Sequence, residues 1–141
     1  MATNEASGYS GTPLAKKLGI KDGFKIKIIN APDYYFGLFT DLPSNLSIIE
    51  DSSDKVNFIH FFADNTADLL ERMKHLRNDI FQDGIIWISW PKKASKVETD
   101  LDGNLVRDIG LNNGLVDIKV CAIDTVWSGL KFVIPVKDRT A

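Results

Sequence analysis

Gly84-Ile85-Ile86-Trp87-Ile88-Ser89-Trp90-Pro91 is the most apolar stretch of the chain's second half, and the elements around it are arranged by it. It is a short, nearly unbroken apolar run, rich in β-branched and aromatic residues, with Asp83-Gly84 ahead of it as a turn and Pro91 at its end. That length and composition predict a strand buried on both faces, at the middle of a sheet. A long amphipathic helix leads into it and a lysine-rich loop leads out.

Upstream, Asp64-Asn65-Thr66 opens a helix to about Phe81, with Leu69, Met73, Leu76 and Ile80 at helical spacing and Leu70 and Phe81 beside them. Asp68 with Arg72, and Glu71 with His75, stand four residues apart on its solvent side. Lys55 to Phe62 reads as a strand and Leu46 to Glu50 as a shorter one, with the polar turn 51–54 between them. They form either a hairpin or separate strands of a parallel sheet. Phe24 to Ile29 is another strand, with Phe24, Ile26 and Ile28 on one side and Lys25 and Lys27 on a wet one. After it, Asn30-Ala31-Pro32-Asp33 opens a helical stretch through Phe39, ended by Leu42-Pro43. Thr12 to Gly19 is a brief helix that covers a sheet edge or, alternatively, clamps over a site, capped by Thr12 and stopped by Gly19. Residues 1–10 read as a polar tail and 11–141 as one domain.

Downstream, Thr99 is placed to cap a helix carrying Leu101, Leu105, Val106 and Ile109, in which Gly103 costs about 1 kcal/mol against alanine. Leu115 to Ile123 and Leu130 to Pro135 are strands joined by the turn 124–129, hence an antiparallel pair. Pro135 places the last strand at an edge near its end. Alternating strands and helices followed by a hairpin predict a single-domain α/β fold: an open, mostly parallel, Rossmann-like sheet with helices on both faces and a C-terminal antiparallel hairpin. The order resembles the second half of a Rossmann-type methyltransferase.

A chain of 141 residues suffices for one domain that buries roughly 68–70% of its unfolded surface. The net charge of -2 argues against nucleic-acid binding, which needs a basic face. Cys121 is the single cysteine, so an intrachain disulfide and a thiolate metal cluster are excluded and a reducing cytoplasm is expected. No apolar run approaches the ~20 residues that span a bilayer, and the first residues lack the pattern of a secretion signal. There is no Gly-x-Ser-x-Gly elbow, phosphate-binding loop or His-Glu-x-x-His. His60 on a strand and His75 on a helix read as structural, and Cys121 as a small hydrophobe.

Open parallel sheets take ligands beyond the carboxyl ends of their strands. That rim is expected to carry Asn30, Glu50 or Asp51, Asp64, Asn65, Trp90, Lys92 and Asp124. Glu50 lies about 20 residues beyond the first strand, the spacing of a ribose-binding acid, although Asn30-Ala31-Pro32 supplies no glycine turn for a phosphate. Trp90-Pro91-Lys92-Lys93 sets an aromatic plane beside two cations, suited to a flat anion. The plainer reading is a core tryptophan and a solvated loop. Asp117 and Lys119 share a strand face, as an ion pair or a desolvated base, and Trp127 shapes the hairpin by packing back on the sheet; all three are further candidate ligand-binding residues.

Three segments carry a further resemblance: Ser10 to Lys21, Trp87-Ile88-Ser89-Trp90-Pro91-Lys92, and Gly114 to Cys121 with Trp127 to Phe132. They resemble a family of small bacterial proteins grouped as a domain of unknown function. The resemblance implies a compact bacterial cytoplasmic domain and carries over no site residues. The leading expectation is a non-catalytic domain, without cofactor, that binds a small anionic ligand or a protein partner at the rim. The alternative is a degenerate methyltransferase-like protein that binds S-adenosylmethionine or a nucleotide, and a third reading is a structural homodimer.

Overall fold

A computed structural model describes residues 12–50 and 54–140. The expected tail, Ser10, Gly11 and Asp51 lie outside the described residues. Six strands form one sheet in the order β2-β1-β3-β4-β6-β5. They are β1 (Lys25–Ile29), β2 (Ser47–Ile48), β3 (Val56–Phe62), β4 (Ile80–Pro91), β5 (Val116–Ala122) and β6 (Trp127–Val133). The first four run parallel, and β6 is antiparallel to both its neighbours. The hairpin-or-parallel question is thereby answered: β2 and β3 flank β1 on opposite sides.

β3 and β4 carry the core because both are apolar on both faces. Ile59 and Phe61 of β3, with Ile86, Ile88 and Trp90 of β4, face the helices α2 (Thr66–Leu76) and α3 (Gly103–Asn112). Phe58 and Trp87 face the other way, against α1 (Leu14–Leu18). Trp87 is fully buried, and its indole N–H donates to the Leu18 carbonyl at 2.9 Å, tying α1 to the central strand. Lys25 and Lys27 are only half exposed, so that face of β1 is drier than its lysines suggested.

Several local expectations are corrected. Thr12 does not cap α1; the first helical residue follows Pro13, and the Asp41 carboxylate accepts from the Ala15 and Lys16 amides, both at 3.0 Å. Gly19 does end α1, in the left-handed region at φ 88°. The stretch after β1 contains one 3-10 turn, Tyr35–Leu38, in place of a longer helix. α2 stops at Leu76 and a 3-10 turn (Arg77–Asp79) delivers Ile80 straight into β4. Asp83-Gly84 is then no turn before the strand but part of a bulge: Val56 pairs with Ile80 and Phe58 with Ile85, two steps along β3 against five along β4. Gly84 is required there, because a Cβ would stand 2.8 Å from that of Ile80.

α3 is capped by Asp102, whose Oδ1 accepts from the Leu105 amide at 2.9 Å. Gly103 is thus the first helical residue, where its flexibility costs less than in an interior, and Trp90 packs over it. Thr99 donates to the Asp64 carbonyl at 2.6 Å and accepts from the Leu101 amide at 3.1 Å, pinning the loop to the end of β3. β6 lies inside the sheet and β5 at its edge; Pro135 follows β6 and begins a 3-10 turn, so its missing N–H lies outside the ladder.

Candidate functional site

The strand order reverses between β1 and β3, so the carboxyl ends of these strands open a crevice of the kind where parallel sheets hold ligands. Asn30, Glu50, Asp64 and Asn65 stand at or just beyond the ends of β1, β2 and β3, as their positions in the chain suggested. Asn30 is exposed and left-handed, with φ 58°, a conformation asparagine tolerates better than most residues. A cleft of about 230 Å³ beside it is lined by Phe61, Asp68, Glu71, Arg72 and His75. Arg72 does not extend simply into solvent: its guanidinium lies over the Phe61 ring, 5.7 Å from the centroid.

Helix N-termini on this rim are filled from within. Thr66 N donates to Asp100 Oδ1 at 2.8 Å, and Asp68 N to Asn65 Oδ1 at 2.8 Å. Asp102 does the same for α3. The partial positive charge of these termini, which a bound anion would use, therefore meets the chain's own side chains. A wide cleft of about 460 Å³ next to them carries Asp64, Glu98 and Asp100 and is acidic.

The carboxyl end of β4 has a different character. There a cleft of about 280 Å³ brings together Trp90, Pro91, Lys92, Lys93, Leu101 and Asp102, with Ser128 of β6 across it. Trp90 is almost wholly buried against the α2–α3 layer, so it offers a ring edge and not a free plane. Lys92 N donates to the Val126 carbonyl at 2.7 Å, which fixes the backbone from which Lys92 and Lys93 leave the sheet. Trp127 lies on the opposite face of the rim, edge-on to Phe62 with centroids 5.0 Å apart. Asp124 is buried and accepts from the Val126 and Trp127 amides, both at 2.8 Å. Burial and the Asp124 carboxylate push the nearby Tyr34 phenol up to about 12.

Asp117 and Lys119 are not brought to the rim, nor to each other. The β5–β6 register shifts between them, and such a bulge changes the face to which successive residues point. Asp117 pairs with Arg107 of α3 at 3.1 Å, while Lys119 is exposed.

The sequence reading missed a buried relay just under the rim. Tyr35 Oη lies 2.9 Å from His60 Nδ1, and His60 Nε2 lies 2.7 Å from Ser89 Oγ. All three side chains are buried. Phe62 stacks on the imidazole at 4.3 Å, and Tyr35 meets Phe36, Phe39 and Phe62 edge-on. Burial holds His60 down to about 3, so it is neutral, with one ring nitrogen donating and the other accepting. The polar interruptions at His60 and Ser89 in otherwise apolar strands were the available signal.

No protein-family model matches the chain, and no curated protein does. Solved structures share its fold. Magnesium protoporphyrin IX methyltransferase (ChlM) from Synechocystis PCC 6803, with bound SAH, is similar at a TM-score of 0.58 and 11% identity, over 86% of this chain and 78% of that one. A SAM-dependent methyltransferase from Aquifex aeolicus is similar at 0.53 and 13%, over 86% and 88%. LepI in complex with SAM is similar at 0.51 and 11% over 86% of this chain, which spans 39% of the length of LepI. The fold is thus the Rossmann-like α/β fold of the methyltransferases. Among the described residues no helix is long and apolar enough to cross a membrane.

Proposed function

We propose that the chain is a non-catalytic binding domain on a methyltransferase-like fold, taking a small anion that carries a flat or apolar group at the carboxyl end of β4. The observation that carries this reading is the cleft of about 280 Å³ in which Lys92 and Lys93 stand beside Trp90 and Leu101. Two cations on a backbone held by β4 and by the turn ahead of β6 attract the anion; the Trp90 edge and Leu101 give its apolar part a wall. The reactive-looking trio Tyr35, His60 and Ser89 is sealed in the core, which favours a structural role for it over a catalytic one. Calorimetric titration with adenosine monophosphate and with an indole carboxylate tests the proposal. Binding that falls at least about tenfold in the Lys92→Ala/Lys93→Ala double variant, with the fold unchanged, supports it. Full binding by the double variant refutes it.

A second reading, S-adenosylmethionine or a nucleotide at the switch point, is favoured by the shared fold and by Asn30, Glu50 and Asp64 at the ends of β1 to β3. The chemistry of the turn weighs against it. Asn30-Ala31-Pro32 offers a proline and a side chain where glycine-rich turns present backbone N–H groups. Micromolar binding of S-adenosylmethionine, abolished by Glu50→Ala, would promote this reading.

A further inference from the structure

We propose that the outer edge of β5, with the lysines of its α1 side, is a docking surface for an acidic, extended segment of a partner protein. This goes beyond the ligand cleft and uses other residues. Lys119 of β5 and Lys131 of β6 stand directly opposite one another in the strand register. Like charges so placed weaken a hairpin, which makes the pair costly to keep without an external counter-charge. The Lys131 ammonium lies over the end of α1, 3.9 Å from where a Cβ on Gly19 would stand, and Lys21 follows two residues later. Lys17 belongs to the same group: burial, with Lys119 and Lys92 nearby, holds its ammonium below the ordinary value against the opposing effect of Cys121, and burial with Lys119 and Lys21 does so for Lys131, again opposed by Cys121. The whole chain has a net charge of -2, so this concentration of lysines is a property of the place and not of the composition.

The surroundings specify a polypeptide. β5 is the outer strand, with backbone groups facing outward, and it exposes Ile118 by 51% and Val120 by 64%. An added strand uses such an edge, with its apolar side chains on Ile118 and Val120 and its carboxylates on the lysines. Lysines are flexible point charges that suit carboxylates spaced along an extended chain. A second copy of this chain is a poor occupant, because an edge lysine and a bulge are the devices that keep identical edges apart.

The probe is a fluorescein-labelled peptide of alternating Glu and Val, with an alternating Gln and Val peptide as control, read by fluorescence polarisation against the full chain. The acidic peptide is expected to bind and the neutral one not. Affinity should fall at least about tenfold between about 50 and 300 mM salt, and by a similar factor in Lys119→Glu. The same variant should melt at or above the parent's temperature, because it sets a carboxylate opposite Lys131, which separates loss of docking from loss of folding. The proposal is overturned if the parent does not bind the acidic peptide or if Lys119→Glu binds it equally well. Tighter binding of inorganic polyphosphate or single-stranded DNA, or a dimer formed through this edge, overturns it too.

Discussion

Replacing His60 with glutamine should remove most of the stability that the parent loses on mild acidification. The imidazole titrates at 6.5 when exposed and at about 3 in the fold, because burial disfavours the charged form. Between these values the unfolded chain takes up a proton that the folded chain refuses. The contribution is complete above about pH 6.5 and is lost as pH falls toward 3. Between pH 7 and pH 5 the linkage amounts to about 2 kcal/mol, from about 1.4 kcal/mol per pKa unit over the part of the titration lying in that window. Urea unfolding at pH 7, 6 and 5, followed by tryptophan fluorescence, measures it. A glutamine side chain can still hydrogen-bond, so the His60→Gln variant should be weaker at pH 7, with Tyr35 and Ser89 less well satisfied, but flatter with pH. An unfolding free energy that is level from pH 7 to pH 5 in the parent, or an unchanged slope in His60→Gln, would refute the buried neutral relay.

Three other substitutions test the frame. Trp87→Ala should cost roughly 3–5 kcal/mol by urea unfolding, since it empties a fully buried site and strands the Leu18 carbonyl; a parent-like melt would show that the strand is not central. Gly110→Ala should destabilise by about 1–3 kcal/mol despite alanine's better helix propensity, because its Cβ would run into the Phe132 ring; a neutral or stabilising result in the same assay would mean that α3 packs further from the sheet. Asp41→Ala should cost about 1 kcal/mol and raise amide hydrogen exchange at Ala15 and Lys16, whose N–H groups it caps; unchanged protection at those two amides would count against the cap.

What could be read from the chain was what depends on local pattern. The apolar run 84–91 gave away the central strand, and Leu69, Met73 and Leu76 the inner face of α2. The end of α2 was misread because Ile80 and Phe81 continue the helical phase, although Ile80 enters the core as a strand residue. Thr99 and Asp102 can both cap a helix; the chain uses Asp102, the better N-cap, and spends Thr99 on the Asp64 carbonyl and the Leu101 amide. Asp117 and Lys119 looked like neighbours on one face because a one-residue bulge leaves no mark in composition. His60 is separated from Tyr35 by 25 positions and from Ser89 by 29, and only the placement of β3 beside β4 and under the Tyr35 turn joins them. Asn30, Glu50, Asp64 and Asn65 follow strands whose direction the fold class dictates, so their position at the strand ends was legible. That the helix termini are occupied by Asp100 and Asp102 was invisible, since it depends on the path of the loop from 92 to 102.

The most direct test of the central claim is a nitrogen-15 NMR titration of the protein with adenosine monophosphate. The Trp90 indole N–H and the amides of Lys92, Lys93 and Asp102 should shift together, saturably, because they line one cleft. Shifts confined to Asn30, Glu50 and Asp64 would contradict it and move the site to the switch point between β1 and β3.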